Sequence, residues 1–178
     1  IGCGLIGSSI LRGSINKKIS KKIFVFERSK KNISKIRKIN SKIIILKKLD
    51  KRISDIDIVV VSTPMSEYQK IIPSLNKFMS EKSIITDVGS TKENILNLKT
   101  KKLNKSLTWI LSHPISGSEV TVPEFGSKNL FLNKWCVLVK DKNKYKLKKI
   151  SRFWKRLGSK VIIMEPKNPD EIFFLIYI

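Results

Sequence analysis

Three glycines near the start of the chain, Gly2, Gly4 and Gly7, have the G-x-G-x-x-G spacing of a turn that binds a dinucleotide. Gly2 permits a tight strand-to-helix turn, Gly4 lets the backbone approach a pyrophosphate, and Gly7 lets the helix pack closely on the sheet. Free N–H groups at the start of that helix, around Leu5 and Ile6, favour an anion because the helix dipole is positive there. The pattern therefore predicts a site for a nucleotide pyrophosphate.

An acidic side chain stands where the ribose of such a nucleotide would lie. Glu27 comes 20 residues after Gly7 and directly follows an apolar run, Ile23–Phe26. A carboxylate at this point accepts hydrogen bonds from the ribose hydroxyls and repels a 2′-phosphate, which favours NAD over NADP. Arg28 is the next residue and leaves NADP open as an alternative. The competing interpretation is an ordinary glycine-rich turn with a surface glutamate.

Four short polar segments follow the ends of predicted strands: the glycine turn, Ser62–Pro64, Asp87–Lys92 and His113–Pro114. Ligands of parallel sheets bind beyond the carboxyl ends of the strands, so these segments should converge on one crevice. His113 is the only histidine of the chain. Its unperturbed pKa of about 6.5 suits a general base at neutral pH, although a structural role is the alternative. The residue types offer no metal site.

The elements that position these residues alternate along the chain. Strands alternating with helices predict an α/β fold of the Rossmann type, with a doubly wound, mostly parallel sheet. A proline, Pro73, predicts a kink or break in the third helix. The predicted strands are 23–26, 43–45, 56–61, 83–87, 108–111, 135–139 and 160–164, and the predicted helices are 4–16, 29–40, 67–79, 91–98 and 144–157.

The composition suggests which classes of partner are absent. The net charge is +23, but the basic residues are mostly lysine, are spread evenly, and accompany a complete lack of alanine. This indicates composition bias rather than a nucleic-acid interface, which would cluster basic and aromatic residues. Two cysteines are too few for a disulfide framework, and no run approaches the roughly 18 apolar residues of a membrane span. We expect a reduced, cytoplasmic protein that binds neither nucleic acid nor membrane.

Several motifs together resemble one family. They are G-C-G-L-I-G-S at the glycine turn, Ser62-Thr63-Pro64, T-D-V-G-S-T-K over residues 86–92 and H-P-I-S-G-S-E over residues 113–119. The chain thereby resembles the prephenate and arogenate dehydrogenases of tyrosine biosynthesis. The glycine turn is common to many dehydrogenases, whereas the last two motifs, 21 residues apart between Lys92 and His113, are more specific.

The resemblance implies NAD(P)-dependent oxidative decarboxylation of prephenate or arogenate by a homodimer. It implies that His113 is the catalytic base and that Ser90 orients it. It further implies cofactor contacts from the glycine turn, Glu27, Arg28 and Asp87, with Thr63 and Pro64 on the nicotinamide side beside Ser62. Another Rossmann-type NAD(P)-dependent reductase or hydroxyacid dehydrogenase is the alternative, but it accounts for the first third of the chain only.

The chain departs from the family pattern at three points. Pro169-Asp170 stands where a His-Asp pair is expected, and Val122 replaces a glycine, which a left-handed backbone would resist. The family's helical dimerisation domain, with its substrate-binding arginine, would lie beyond Ile178. We therefore expect a fragment that is inactive alone. It would comprise a nucleotide-binding domain at residues 1–166, with most of the first strand missing, and the start of a truncated helical domain at residues 167–178.

Overall fold

The computed structural model describes residues 1–90, 92–116 and 122–165, with helices and strands alternating along them. The predicted boundary between residues 166 and 167 lies outside the described residues. The helices are α1 (Leu5–Asn16), α2 (Lys30–Ile39), α3 (Tyr68–Phe78), α4 (Lys92–Lys102) and α5 (Lys144–Leu157). The strands are β1 (Phe24–Phe26), β2 (Ile44–Leu46), β3 (Ile58–Val61), β4 (Ile84–Asp87), β5 (Thr108–Ile110), β6 (Ser112–Pro114), β7 (Trp135–Val139) and β8 (Lys160–Met164).

The first five strands are all parallel to their neighbours. β1 pairs with β2, and β3, β4 and β5 pair in that order. Ile1 and Gly2 join the two groups: the Gly2 N–H donates to Phe26 O at 2.9 Å, and the Ser62 N–H donates to Ile1 O at 2.8 Å. The chain therefore enters the glycine turn from the middle of the sheet, between β1 and β3. This arrangement confirms the predicted doubly wound, mostly parallel architecture.

One prediction about the sheet is wrong. His113–Pro114 does not form a polar segment after a strand but belongs to a strand itself, β6 (Ser112–Pro114), which pairs antiparallel with β7. β7 then pairs parallel with β8. Leu111 lies between β5 and β6, and its carbonyl accepts the Val139 N–H at 3.0 Å. Proline usually lies outside a strand interior, so the sequence Ser-His-Pro gave no strand signal.

The helices differ from the prediction at two points. Pro73 does not break α3, because the helix continues through it to Phe78. The carbonyl that its missing N–H would have bonded belongs to Gln69, which is exposed and can bind water instead. α4 extends beyond the predicted end to Lys102, and the cations in its last turn favour that extension because the helix dipole is negative there.

Apolar residues are buried on both faces of the sheet. Adjacent residues of β4 contribute to different cores: Ile85 packs with Trp109 and the α3 residue Leu75, whereas Ile84 packs with Trp154 of α5. A strand whose successive side chains are all buried must be covered on both faces, as β4 is. Among the described residues, no helix has the length and apolar character needed to cross a membrane.

An ion pair joins α4 to the loop after β7. Lys99 Nζ lies 2.8 Å from Asp141 Oδ2, and the Asp141 side chain is 15% exposed. Burial acts to raise the pKa of Asp141, but the Lys99 ammonium and the Asn143 N–H outweigh it and hold the pKa below its ordinary value. A depressed carboxyl pKa stabilises the folded state above the ordinary pKa, and that stabilisation is lost as the pH falls.

We therefore expect Asp141→Asn to lower the free energy of unfolding by about 1 kcal/mol at neutral pH. The difference from the wild type should shrink as the pH falls below about 4, where the carboxyl becomes protonated in the unfolded chain. Urea denaturation at a series of pH values measures both effects. Asp57→Asn is the control, because the Asp57 pair with Lys149 leaves the Asp57 side chain 81% exposed and should contribute less. Equal effects of the two variants would contradict the prediction.

Candidate nucleotide site

The glycine turn has the close packing that its spacing predicts. Gly2 has a φ of +79°, in the left-handed region that favours glycine. A Cβ atom at Gly7 would lie 2.4 Å from the Gly2 carbonyl oxygen and 2.7 Å from Ser62 Oγ. Both positions therefore exclude larger residues: Gly2 because of its backbone, and Gly7 because α1 begins against the turn and the end of β3.

The N-terminus of α1 is prepared to hold an anion. Its N-cap residue, Gly4, provides no side-chain cap, and the first turn of the helix contains no acidic residue. N–H groups of the first turn, among them those of Leu5 and Ile6, lack i−4 carbonyl partners in the helix and lie at the positive end of its dipole. Burial raises the pKa of the neighbouring Cys3 thiol to about 12, so this side chain adds no negative charge at neutral pH. The turn thus fits a pyrophosphate.

Glu27 lies beside the turn, where the sequence places it. Its carboxylate accepts the Cys3 N–H and the Ser29 N–H, each at 3.0 Å. These bonds fix the carboxylate between the glycine turn and the start of α2. A carboxylate can accept about four hydrogen bonds, so capacity for ribose hydroxyls remains. Arg28 is exposed and pairs with Glu67 at 2.8 Å, which directs it towards the segment after β3.

That segment, Ser62–Pro64, packs directly against the turn. Ser62 Oγ lies 2.8 Å from Gly2 O and 3.2 Å from Ile1 O, so its hydroxyl can donate a hydrogen bond to the backbone of the turn. The Thr63 methyl group lies where a side chain on Gly2 would be. Thr63 Oγ1 is buried and has no hydrogen-bond partner within the described part of the chain. A buried polar atom of this kind fits a ligand amide, such as the nicotinamide carboxamide.

Asp87 lies beneath the site rather than on its surface. The side chain is fully buried. Its Oδ1 accepts the Trp109 indole N–H at 3.1 Å, and its Oδ2 accepts the Gly89 N–H at 3.0 Å. Donors from the protein thus surround this carboxylate, for which the resemblance implies a cofactor contact. The geometry favours a role in supporting the loop after β4. Ser90, at the end of that loop, is exposed.

His113 emerges on one face of β6, where it is half-buried and lies opposite Val137 of β7. The preceding residue, Ser112, bonds to Asp87 through its N–H at 3.4 Å and its hydroxyl at 2.6 Å. The strand that carries His113 is therefore attached to the start of the loop that carries Ser90. A direct contact between the side chains of His113 and Ser90 stays a prediction. Residues 117–119, the end of the second motif, lie outside the described residues.

The sequence prediction missed the buried polar residues behind His113. In the core, the Ser112 hydroxyl forms hydrogen bonds with both the Thr86 hydroxyl and the Trp154 indole N–H. A signal was present in Thr86-Asp87 and Ser112, since polar residues at the ends of buried strands need partners. Val122 also behaves differently from expectation: its φ is −93°, so the residue that replaces a glycine adopts ordinary extended backbone.

A mostly parallel sheet covered on both faces, with an uncapped helix behind a glycine turn, defines a nucleotide-binding domain of the Rossmann type. Residues 12–163 match the family model described as prephenate dehydrogenase, nucleotide-binding domain. The chain belongs to this family.

Two proteins illustrate the similarity. Cyclohexadienyl dehydrogenase of Zymomonas mobilis is 22% identical over 177 residues, which cover 98% of this chain and 60% of that protein. The crystal structure of prephenate dehydrogenase from Aquifex aeolicus superposes with a TM-score of 0.84 at 27% identity, over 99% of this chain and 64% of that one. A second structure of the Aquifex aeolicus enzyme, in complex with hydroxyphenyl propionate and NAD+, gives a TM-score of 0.83 at 28% identity, over 97% of this chain and 60% of that one. This chain thus spans less than two thirds of the length of these relatives.

Proposed function

We propose that the full-length protein catalyses the NAD(P)-dependent oxidative decarboxylation of prephenate to 4-hydroxyphenylpyruvate or of arogenate to tyrosine. The observation that carries the proposal is the attachment of His113, on β6, to the loop after β4 through the Ser112–Asp87 contacts. The family match and the named activities of the relatives support it. We further propose that the protein acts in the cytoplasm, as its composition suggests, and that it is a homodimer, as the sequence resemblance implies.

Different residues of the chain would bind the cofactor and catalyse the reaction. The glycine turn and the α1 N-terminus would hold the pyrophosphate, and Glu27 would hold the ribose. Thr63 and Pro64 would contact the nicotinamide, and the bound cofactor would supply the hydride acceptor. A neutral imidazole nitrogen of His113 would accept the proton of the ring hydroxyl as the hydride leaves the same carbon. The bond between the ring and its carboxylate would then break and carbon dioxide would leave. The electron pair of that bond would complete the aromatic ring, and the proton on His113 would return to the ring oxygen to give the phenol. Ser90 would orient the imidazole and the hydroxyl.

Turnover tests this function directly. The full-length protein is supplied with NAD+ and either prephenate or arogenate, and NADH absorbance and carbon dioxide release are measured. We expect equimolar NADH and carbon dioxide from at least one substrate. Binding of NAD+ without oxidation of either substrate would show that the proposed reaction is wrong while leaving the nucleotide site intact.

Cofactor choice gives a separate prediction. The Glu27 carboxylate, held by two backbone N–H groups at 3.0 Å, would face the 2′ position of the adenosine ribose. It would repel a 2′-phosphate, so NAD+ should bind at least about tenfold more tightly than NADP+ in calorimetric titrations. Glu27→Gln keeps the side-chain length and removes the charge, so it should reduce this preference. Equal or tighter binding of NADP+ by the wild type would remove Glu27 from the ribose role.

A further inference from the structure

The residue before His113 is the centre of a buried hydrogen-bond cluster. Ser112 Oγ lies 2.6 Å from Asp87 O, 2.7 Å from Thr86 Oγ1 and 3.2 Å from Trp154 Nε1. The Trp154 indole can only donate, so the serine oxygen accepts this bond and its own proton serves one of the oxygens on β4. One hydroxyl thus joins strand β6 to strand β4 and to helix α5.

Asp87 completes the cluster from the other side. Its Oδ1 accepts both the Trp109 indole N–H at 3.1 Å and the Ser112 N–H at 3.4 Å, while its Oδ2 accepts the Gly89 N–H at 3.0 Å. Ser112 and Asp87 are both 0% exposed. Two bonds therefore connect the same pair of residues, one through the backbone of Ser112 and one through its side chain.

The direction of the side chains determines what this cluster can do. Successive side chains of a strand point to opposite faces. Ser112 pairs with the buried Leu138, whereas His113 pairs with the half-buried Val137 on the other face. The serine therefore anchors β6 from the core side, and the imidazole emerges on the side away from the anchor. Because β6 has only three residues, its ladder with β7 alone constrains it weakly.

The far end of the anchor is rigid. Trp154 is fully buried, and the rings of Phe131 and Phe153 pack edge-on against it with centroid distances of 5.3 and 5.4 Å. A side chain held between two aromatic rings in a close-packed core has little freedom to shift. The indole N–H that donates to Ser112 is therefore held in one position.

We propose that Ser112 and Trp154 are positioning residues that fix His113 relative to the loop after β4. The inference rests on the proposed function, in which His113 and Ser90 act on the same substrate hydroxyl. Ser112 and Trp154 contact the core rather than the reacting atoms, so they can affect the reaction only through the position of β6. Small misplacements of a reacting group can lower turnover as much as a hundredfold.

Two substitutions in the full-length protein test the proposal. Ser112→Ala removes the central hydroxyl, and Trp154→Phe removes the indole N–H while it keeps an aromatic ring in the core. Each should lower kcat roughly 10- to 100-fold and change the NAD+ dissociation constant less than twofold. Ser159→Ala is the matched control, because Ser159 is buried and its Oγ has no partner within the described part of the chain. It should leave kcat unchanged.

The imidazole itself gives a readout that does not depend on turnover. His113 is the only histidine of the 178 residues, so NMR of this chain yields a single set of imidazole signals. These signals should shift in Ser112→Ala and Trp154→Phe and stay in place in Ser159→Ala. Unchanged signals in the first two variants would overturn the proposal, as would normal kcat or a loss of kcat matched by an equal loss of NAD+ binding. If the wild type oxidised neither substrate, the proposed function would fail and the NMR comparison would still decide the positioning role.

Discussion

Replacement of His113 by asparagine should lower kcat of the full-length protein by roughly 10²- to 10⁴-fold, the usual contribution of a positioned general base. Asparagine preserves the polarity and approximate size of the side chain but cannot accept the hydroxyl proton at neutral pH. Affinity for NAD+ should barely change, because the expected phosphate and ribose contacts lie at the glycine turn and Glu27. Steady-state kinetics and calorimetric titration measure the two quantities separately.

The pH dependence distinguishes a base from a residue that only shapes the site. In the wild type, kcat/KM should fall on the acidic side as the imidazole of the general base becomes protonated. This acidic limb should be absent in His113→Asn. Ser90→Ala should lower kcat less and keep the limb, since Ser90 would only orient the base. Near-normal kcat in His113→Asn, or loss of activity through unfolding, would make the histidine structural and the mechanism wrong.

Local sequence signals predicted the regular elements of the fold well. The predicted ranges of β7, α5 and β8 coincide with those in the structure. In α5 the buried residues Ile150, Phe153, Trp154 and Leu157 recur at helical spacing. Gly158 then ends the helix with a φ of +106°. Each of these signals depends only on residues close together in the sequence, so the element can be predicted from the sequence alone.

Strand β6 is an element that local sequence signals do not predict. Its residues, Ser112–Pro114, lack the apolar or β-branched character of a strand, and the strand exists because β7 provides hydrogen bonds to it. Partners distant in sequence create the element. The orientation of His113 follows from that pairing, so the histidine could be singled out by its chemistry but its position could not be derived.

Asp87 illustrates the same limit for the site. A polar residue at the carboxyl end of a buried strand is typical of ligand binding, and the sequence alone supports that interpretation. The structure shows an acid surrounded by N–H donors from Trp109, Gly89 and Ser112, two of which lie more than 20 residues away. Burial of a charge depends on such donors, and their convergence is a property of the tertiary fold. The close packing of the glycine turn, in contrast, follows from the spacing of Gly2 and Gly7 within the turn itself.

Substitution of Gly7 by alanine should strongly weaken nucleotide binding, because the added side chain would disrupt the packing of the glycine turn. The added Cβ atom would lie 2.4 Å from the Gly2 carbonyl oxygen and 2.7 Å from Ser62 Oγ. The carbonyl belongs to the turn itself, and Ser62 lies at hydrogen-bond distance from it, so neither can retreat without displacing the turn from the start of α1. Overpacking of this kind costs about 1–3 kcal/mol of stability. It also separates the turn from the helix N-terminus that would hold the pyrophosphate.

We expect the NAD+ dissociation constant of Gly7→Ala to rise by at least about 100-fold, which corresponds to about 2.7 kcal/mol of binding free energy. Calorimetric titration measures it, and thermal unfolding reports the accompanying loss of stability. Gly13→Ala is the matched control in the same helix: its Cβ would approach the flexible end of Leu157 at 2.8 Å and would meet no atom of the turn. NAD+ affinity should be unchanged there, since the tip of a leucine side chain can move. Wild-type affinity in Gly7→Ala would mean that the nucleotide phosphates bind elsewhere.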